Sequence, residues 1–198
     1  MSEDINYHDL RVEKISEKCI DRLCELVVDI AKPDEVELRD FLLEDAFRNQ
    51  EEDYISRTYL IFHNPSNALV GYVTLLTDNI HIRNTTIKEK FEKMNIPYDS
   101  LPALKIGRMC VTSDYRFKGI GTFMVRIAMR RLLEISERVG CRYLIADVKR
   151  DAVHFYKKLG FDVLREKKKG NIPMYIDMEK QIQYIRKHKK TIPFTDIK

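Results

Sequence analysis

The stretch SDYRFKGIGTFMVRIAMRR, Ser113 to Arg131, sets two glycines, Gly119 and Gly121, directly before the most regular amphipathic run of the chain. Met124, Ala128, Leu132, Ile135 and Val139 fall on one helical stripe, and Gly140 supplies a C-terminal stop. Glycines at a helix start have two readings. One is a plain turn. The other is a cradle for an anion: the first N–H groups of a helix lack internal partners, and the helix dipole adds about half a positive charge there. Residues without side chains let a phosphate reach that backbone. Arg116 and Lys118 add charge beside it, so the turn suits a pyrophosphate. A P-loop would need Gly-Lys-Ser/Thr, and GIGTFM has no lysine. A dinucleotide fingerprint would need a third glycine where Met124 stands, and an acid at a later strand end, whereas Glu137 falls inside the helix.

Apolar strands flank this helix, Ala103–Thr112 (ALKIGRMCVT) before it and Cys141–Val148 (CRYLIADV) after it. Strand, helix, strand is a βαβ unit, so the two strands are expected to be parallel with a right-handed crossover. Farther out, LRVEKI (Leu10–Ile15) alternates like an edge strand. Cys19, Leu23, Leu26, Val27 and Ile30 fall at helical spacing, with Lys32-Pro33 as the stop. A second helix is predicted from Asp34 as N-cap, with Leu38, Phe41, Leu42 and Ala46 on its apolar face. RTYLIFH (Arg57–His63) and ALVGYVTLLT (Ala68–Thr77) form a hairpin around the turn cluster NPSN. Residues 79–103 are less regular, with a helical piece at Ile87–Met94. A helix at Asp151–Leu159 ends at Gly160, and FDVLRE and IPMYIDME read as two further strands. The expected fold is an α/β or α+β sandwich: a mixed sheet with antiparallel N-terminal strands, a parallel βαβ unit and flanking helices.

The 198 residues suit one domain, with 44% hydrophobic and 33% charged residues. The start MSEDINYHDL is too acidic and polar for a signal peptide, and no run approaches a membrane span. Cys19, Cys24, Cys110 and Cys141 form neither a C-x-x-C pair nor a zinc-type cluster, so no metal is expected. The simplest setting is cytoplasmic, with reduced thiols. A net charge of +4 permits an anionic ligand without demanding nucleic acid. The excess gathers in Arg165–Gly170 (REKKKG) and Arg186–Lys190 (RKHKK), which are either solvated segments or phosphate contacts.

Downstream stands RDAVHFYKKLGF, Arg150–Phe161, in which Ala152 and Phe155 share a helical face and Tyr156 lies a turn beyond Ala152. The order R-x-x-G-x-G, helix, apolar strand, then A-x-x-F-Y-x-x-x-G-F resembles the acetyl-CoA-binding half of the GNAT acetyltransferases. FLLEDAFRNQ, SRTYLIF, LVGYVTLL and IPYDSLPALKIGRMCV follow the order of that superfamily's toxin-type branch. The likeness spans about Leu10 to Met178 and is densest from Leu104 to Phe161. It implies a GNAT domain over residues 8–178, followed by a basic tail at 179–198 without a counterpart. The polar stretch TDNIHIRNTTIKEKFEKM departs from the family pattern.

The resemblance implies direct acetyl transfer from acetyl-CoA to an amine. Carried over by position, the backbone of Arg116, Phe117, Lys118, Gly119, Ile120, Gly121 and Thr122 would hold the pyrophosphate. Met109, Cys110 and Val111 would pair with the pantetheine arm where the two parallel strands splay. A backbone N–H near Cys110 or Val111 would face the oxyanion, a donor worth roughly 3 kcal/mol of barrier. Tyr156 would be the general acid toward the departing thiolate, with Ala152 and Phe155 packing near the cofactor. Asp147, at a strand end, either lines the cleft or caps the next helix. His154 lies about 200° around the helix from Tyr156 and faces away. Cys110 reads as a small buried strand residue, with no histidine placed to activate it. The acceptor classes are a small amine, a protein amine or the amino group of aminoacyl-tRNA; the last would bring an antitoxin partner. No membrane partner is expected, and a homodimer is compatible with the sequence. A non-catalytic CoA-binding sensor or scaffold is the competing class.

Overall fold

The computed structural model describes residues 5–93 and 95–188. Within them, seven strands make one mixed sheet: β1 (Leu10–Lys14), β2 (Arg57–His63), β3 (Ala68–His81), β4 (Ser100–Val111), β5 (Tyr143–Val148), β6 (Asp162–Val163) and β7 (Ile172–Asp177). Their order is β1-β2-β3-β4-β5-β7-β6. Only β4 and β5 run parallel, joined by the helix α4 (Ile120–Ser136), as a βαβ unit requires.

Helices cover both faces, which explains the near-continuous apolar runs of the central strands. On one face, Met124, Val125, Ala128 and Leu132 of α4 pack on Leu104, Ile106, Leu144 and Ala146. Burying each large side chain there stabilises by about 1.5–3 kcal/mol. The other face carries two clusters. Cys19, Leu23, Leu42 and Ala46 cover Leu60, Phe62, Tyr72 and Cys110. They come from a 3-10 turn (Glu17–Glu25), a π-helical turn (Phe41–Asp45) and α2 (Ala46–Glu51), and Leu38 of the preceding helix α1 (Pro33–Asp40) packs beside them. Ile87 and Phe91 of α3 (Thr86–Glu92) cover Ile80, Ala103 and Tyr143. Two further helices, α5 (Val153–Lys158) and α6 (Glu179–His188), complete the described chain. Ile182 of α6 packs against the α4 face, and none of the described helices is long and apolar enough to cross a membrane.

Buried polar bonds tie these layers together. The Gln50 side chain donates to the Ile15 carbonyl and accepts from the Thr58 N–H, at 2.8 and 3.1 Å. The Tyr72 hydroxyl donates to the Leu38 carbonyl at 2.6 Å, fastening α1 to β3.

The structure corrects several local expectations. The run from Cys19 to Ile30 is not an α-helix: its 3-10 turn ends at Glu25, and Val27 and Ile30 are exposed. The Val27 backbone instead bonds Thr112 and Ser113, which draws the chain out of helical register. Pro33 begins α1 rather than merely ending a preceding helix; Lys32 is its N-cap and Asp34 lies in the first turn. β3 and β4 run longer than predicted, because Pro102 sits where β5 has not yet begun to pair and no ladder bond is lost there. α4 stops at Ser136, which leaves Val139 exposed and Gly140 beyond the helix. FDVLRE yields a strand of two residues only, and Arg186–Lys190 lies partly outside the described residues.

At Gly71 of β3 a Cβ would fall 2.6 Å from the Cys110 carbonyl oxygen, which is backbone and cannot swing aside. Gly71→Ala is therefore expected to destabilise the protein by about 2 kcal/mol through overpacking, read from denaturant midpoints at constant slope.

Candidate active site

The site begins at a break in the sheet. β4 and β5 pair from Ala103 with Tyr143 to Ile106 with Ala146, and the ladder stops there. Asp147 and Val148 go on to pair with Pro173 and Ile172 of β7. At the same level β4 bulges: Arg108 opposes Thr74 and Ile106 opposes Leu75, leaving Gly107 as the extra residue. From Gly107 to Val111, β4 therefore has β3 on one side and no strand on the other. Such an edge is a template for an extended, amide-bearing chain. Met109 and Val111 lean toward the α4 face, and Cys110 toward the other. Burial pushes the Cys110 thiol up to about 11, so it is not a ready nucleophile.

At the end of β4 the chain turns into α4. Gly119 is the N-cap in the left-handed region (φ 82°), and no side chain caps the helix. The first N–H groups of α4 accordingly have no intrahelical partner and stay available to an anion. Ile120 is buried, so only its main chain can contribute; the Phe117 ring is 91% exposed. The second glycine has a different task. A Cβ on Gly121 would fall 3.2 Å from Phe155 Cζ, so its bareness lets α5 pack on the first turn of α4.

The charged side chains of this turn have partners of their own. Arg116 donates through both terminal nitrogens to Glu35 of α1, at 3.0 and 2.6 Å. Burial alone would raise the Glu35 carboxyl, but Arg116, the Asp29 N–H and Lys32 hold it down at about 2. Lys118 donates to the Asp114 carbonyl at 2.9 Å and sits over the Tyr115 ring.

Tyr156 is buried on α5, edge-on to Phe155 and Phe161 at ring-centroid distances of 5.2 and 5.1 Å. Burial holds its phenol well above the ordinary value, so it stays protonated at neutral pH. Ala152 and Phe155 are half-buried beside it, and His154 points to solvent. Asp147 caps no helix: it pairs with Lys105 of β4 at 2.9 Å, and Lys105 also reaches Asp78 at 3.0 Å. Burial disfavours the Lys105 ammonium, but its two carboxylate partners overcome that and raise it.

Across the sheet from α4, a groove of about 570 Å³ opens onto the same β4 segment. Glu37, Asp40, Glu44 and Asp45 line it against one cation, Arg108, which lies over the Phe41 ring at 5.3 Å. The π-helical turn supplies three of these lining residues, Phe41, Glu44 and Asp45. Asp40 and Asp45 are already paired with Arg39 and Arg48 at 3.0 and 2.8 Å, and Glu37 stands 3.7 Å from Arg108, so Glu44 is the one carboxylate of the groove without an ion pair among the described residues and the one left for an amine. Sequence reasoning missed Glu35, Lys105 and this groove, whose members meet only through the fold. Gly107 inside a strand was a legible sign of the bulge.

The model of the acetyltransferase (GNAT) family matches residues 21–161. Among solved structures, AtaT complexed with acetyl-methionyl-tRNAfMet is 24% identical, with a TM-score of 0.74 over 89% of this chain and 99% of that one. A tyrosine-to-phenylalanine mutant of KacT is 23% identical, with a TM-score of 0.69 over 89% and 99% of the two chains. A mutant AtaT toxin bound to the C-terminus of the antitoxin AtaR and acetyl-CoA is 21% identical, at 0.63 over 90% and 98%.

The Arg116–Glu35 pair makes a pH-dependent contribution. Because the folded carboxyl titrates at about 2, below its ordinary 4.5, the contribution is complete above the ordinary value and is lost as pH falls through about 2. Glu35→Gln is expected to cost about 2 kcal/mol at neutral pH. In paired melts the gap between the two proteins should close between about pH 5 and pH 2.

Proposed function

Because the chain belongs to the GNAT acetyltransferase family, we propose that it carries an acetyl group from acetyl-CoA directly to a primary amine, with Tyr156 as general acid. The observation that carries this reading is the break in the β4–β5 ladder beside the bare, glycine-capped start of α4. Together these fit the two ends of the cosubstrate, an amide-bearing arm and a diphosphate. Acetyl-CoA supplies an activated thioester. The protein supplies the rest. The edge from Met109 to Val111 aligns the arm, and the turn from Arg116 to Thr122 holds the diphosphate through its main chain. A backbone N–H near Cys110 or Val111 meets the developing oxyanion, which is worth roughly 3 kcal/mol. The groove receives the amine from the opposite face; the nitrogen gives its proton to water or a groove carboxylate, the free amine then forms the C–N bond, and the C–S bond to CoA breaks. The Lys105 bridge between Asp78 and Asp147 braces the base of the gap.

Tyr156 then donates its proton to the leaving thiolate. Its phenol is raised, yet a thiolate forming in a dry gap is raised too.

One second reading has an observation in its favour. The AtaT structure in complex with acetyl-methionyl-tRNAfMet makes the amino group of aminoacyl-tRNA a specific acceptor class, and an antitoxin a corresponding partner class. The exposed loop Arg165–Lys169 and the last turn of α6, with Arg186, Lys187 and His188, offer phosphate contacts for it.

Thiol release from acetyl-CoA, followed over a panel of small amines, peptides and charged tRNA, is expected to show turnover with one acceptor class. CoA binding without turnover on any of them supports the non-catalytic alternative. Tyr156→Phe is expected to lower kcat about 100-fold with the KM for acetyl-CoA nearly unchanged. Unchanged turnover at saturating substrate overturns the role of Tyr156.

A further inference from the structure

A second cavity, of about 390 Å³, lies at the far end of α4 from the glycine turn. Arg131, on its wall, is ten residues beyond Gly121, or about 15 Å along the helix. The volume falls within the range of small-molecule sites. Its floor is apolar: Tyr59, Leu75 and Leu104 are buried core residues. Its rim carries Tyr54 and Ile55, which are 76% and 60% exposed, with the Tyr54 backbone in the left-handed region (φ 57°).

The polar groups of the cavity are one-sided. Lys14, Arg57 and Arg131 face a single carboxylate, Glu134, which is already shared between Arg130 and Arg131. Lys14 has no ion pair among the described residues. Arg57 donates to the Gln50 carbonyl and stands 3.9 Å from Glu51. Arg131 makes one hydrogen bond, from Nη1 to Glu134 at 2.7 Å, while its guanidinium lies over the Tyr59 ring and its Nε has no partner. The Ser56 hydroxyl, also lining the cavity, has none either. Surplus cations around an apolar floor recognise an anion with an organic body. A planar guanidinium fork matches a carboxylate, whereas bare phosphate would leave the floor unused.

We propose that this cavity binds a small carboxylate with an apolar or aromatic body, at a site separate from the acetyl-transfer cleft.

The test is calorimetric titration of the full-length protein with 3-phenylpropionate and octanoate. The controls are 3-phenylpropionamide, 3-phenylpropylamine and inorganic phosphate. The carboxylates are expected to bind about tenfold more tightly than the amide, with no heat from the amine or phosphate. The exposed double substitution Lys14→Gln, Arg57→Gln should weaken carboxylate binding about tenfold while leaving the circular dichroism spectrum intact. Amide chemical shifts should move at Ser56, Thr77 and Arg131, and saturating CoA should leave them in place. The proposal is overturned by absence of heat at millimolar probe, by equal affinity for the amide, by indifference to the double substitution, or by shifts centred on Gly119–Thr122. The last outcome would assign the probe to the cofactor turn instead.

Discussion

A parallel strand pair that separates after four matched positions governs the rest of this structure. Strand separation inside a sheet is costly, because each unpaired N–H and C=O needs another partner. Two features fix it here. The Gly107 bulge turns β4 at the point of separation, and β7 takes over the pairing of β5 at Asp147 and Val148. β4 then runs on to Val111 supported by β3 alone, so closely that Gly71 has no room for a methyl group. The outcome is a length of main chain inside the protein with its hydrogen-bonding edge turned to a gap rather than to a neighbour.

The sheet also divides the chemistry. On the α4 side lie the helix start and Tyr156, the elements suited to a diphosphate carrier and a proton donor. On the α1 side lies the groove lined by Glu37, Asp40, Glu44 and Asp45. The Gly107–Val111 segment borders both. The Arg116–Glu35 pair crosses between them, joining the loop that precedes α4 to the first turn of α1. Arg116, whose charge stands beside the glycine turn, thus also ties that turn to α1. Gly121 does comparable work between α4 and α5, where its missing side chain makes room for Phe155.

The parts of this arrangement that were legible in the sequence are those written in local spacing. The stripe from Met124 to Leu132, the apolar strands on either side and the Gly160 stop predict the βαβ core and its direction. The placement of Tyr156 on a helix behind it follows from the same local reading. Features that depend on distant partners were not legible. Val27 leaves helical register because Thr112, 85 residues away, captures its backbone. Glu35 meets Arg116 across 81 residues. Lys105 meets Asp147 only because β4 and β5 align in parallel register up to Ile106. Pro33 was read as a terminator, whereas the first helical position tolerates proline because its N–H is unpaired there anyway.

The uncapped start of α4 has a consequence for how such a chain can change over time. A grip made of peptide groups asks little of side-chain identity. Lys118 and Thr122 are then open to substitution, since what they would offer a ligand is common to every residue except proline. Gly119, held at positive φ, and Gly121, pressed against an aromatic ring, are tied to their residue type, and Phe117, also at positive φ (60°), disfavours a β-branched replacement. Distant relatives could keep the same grip with little more than these two glycines in common.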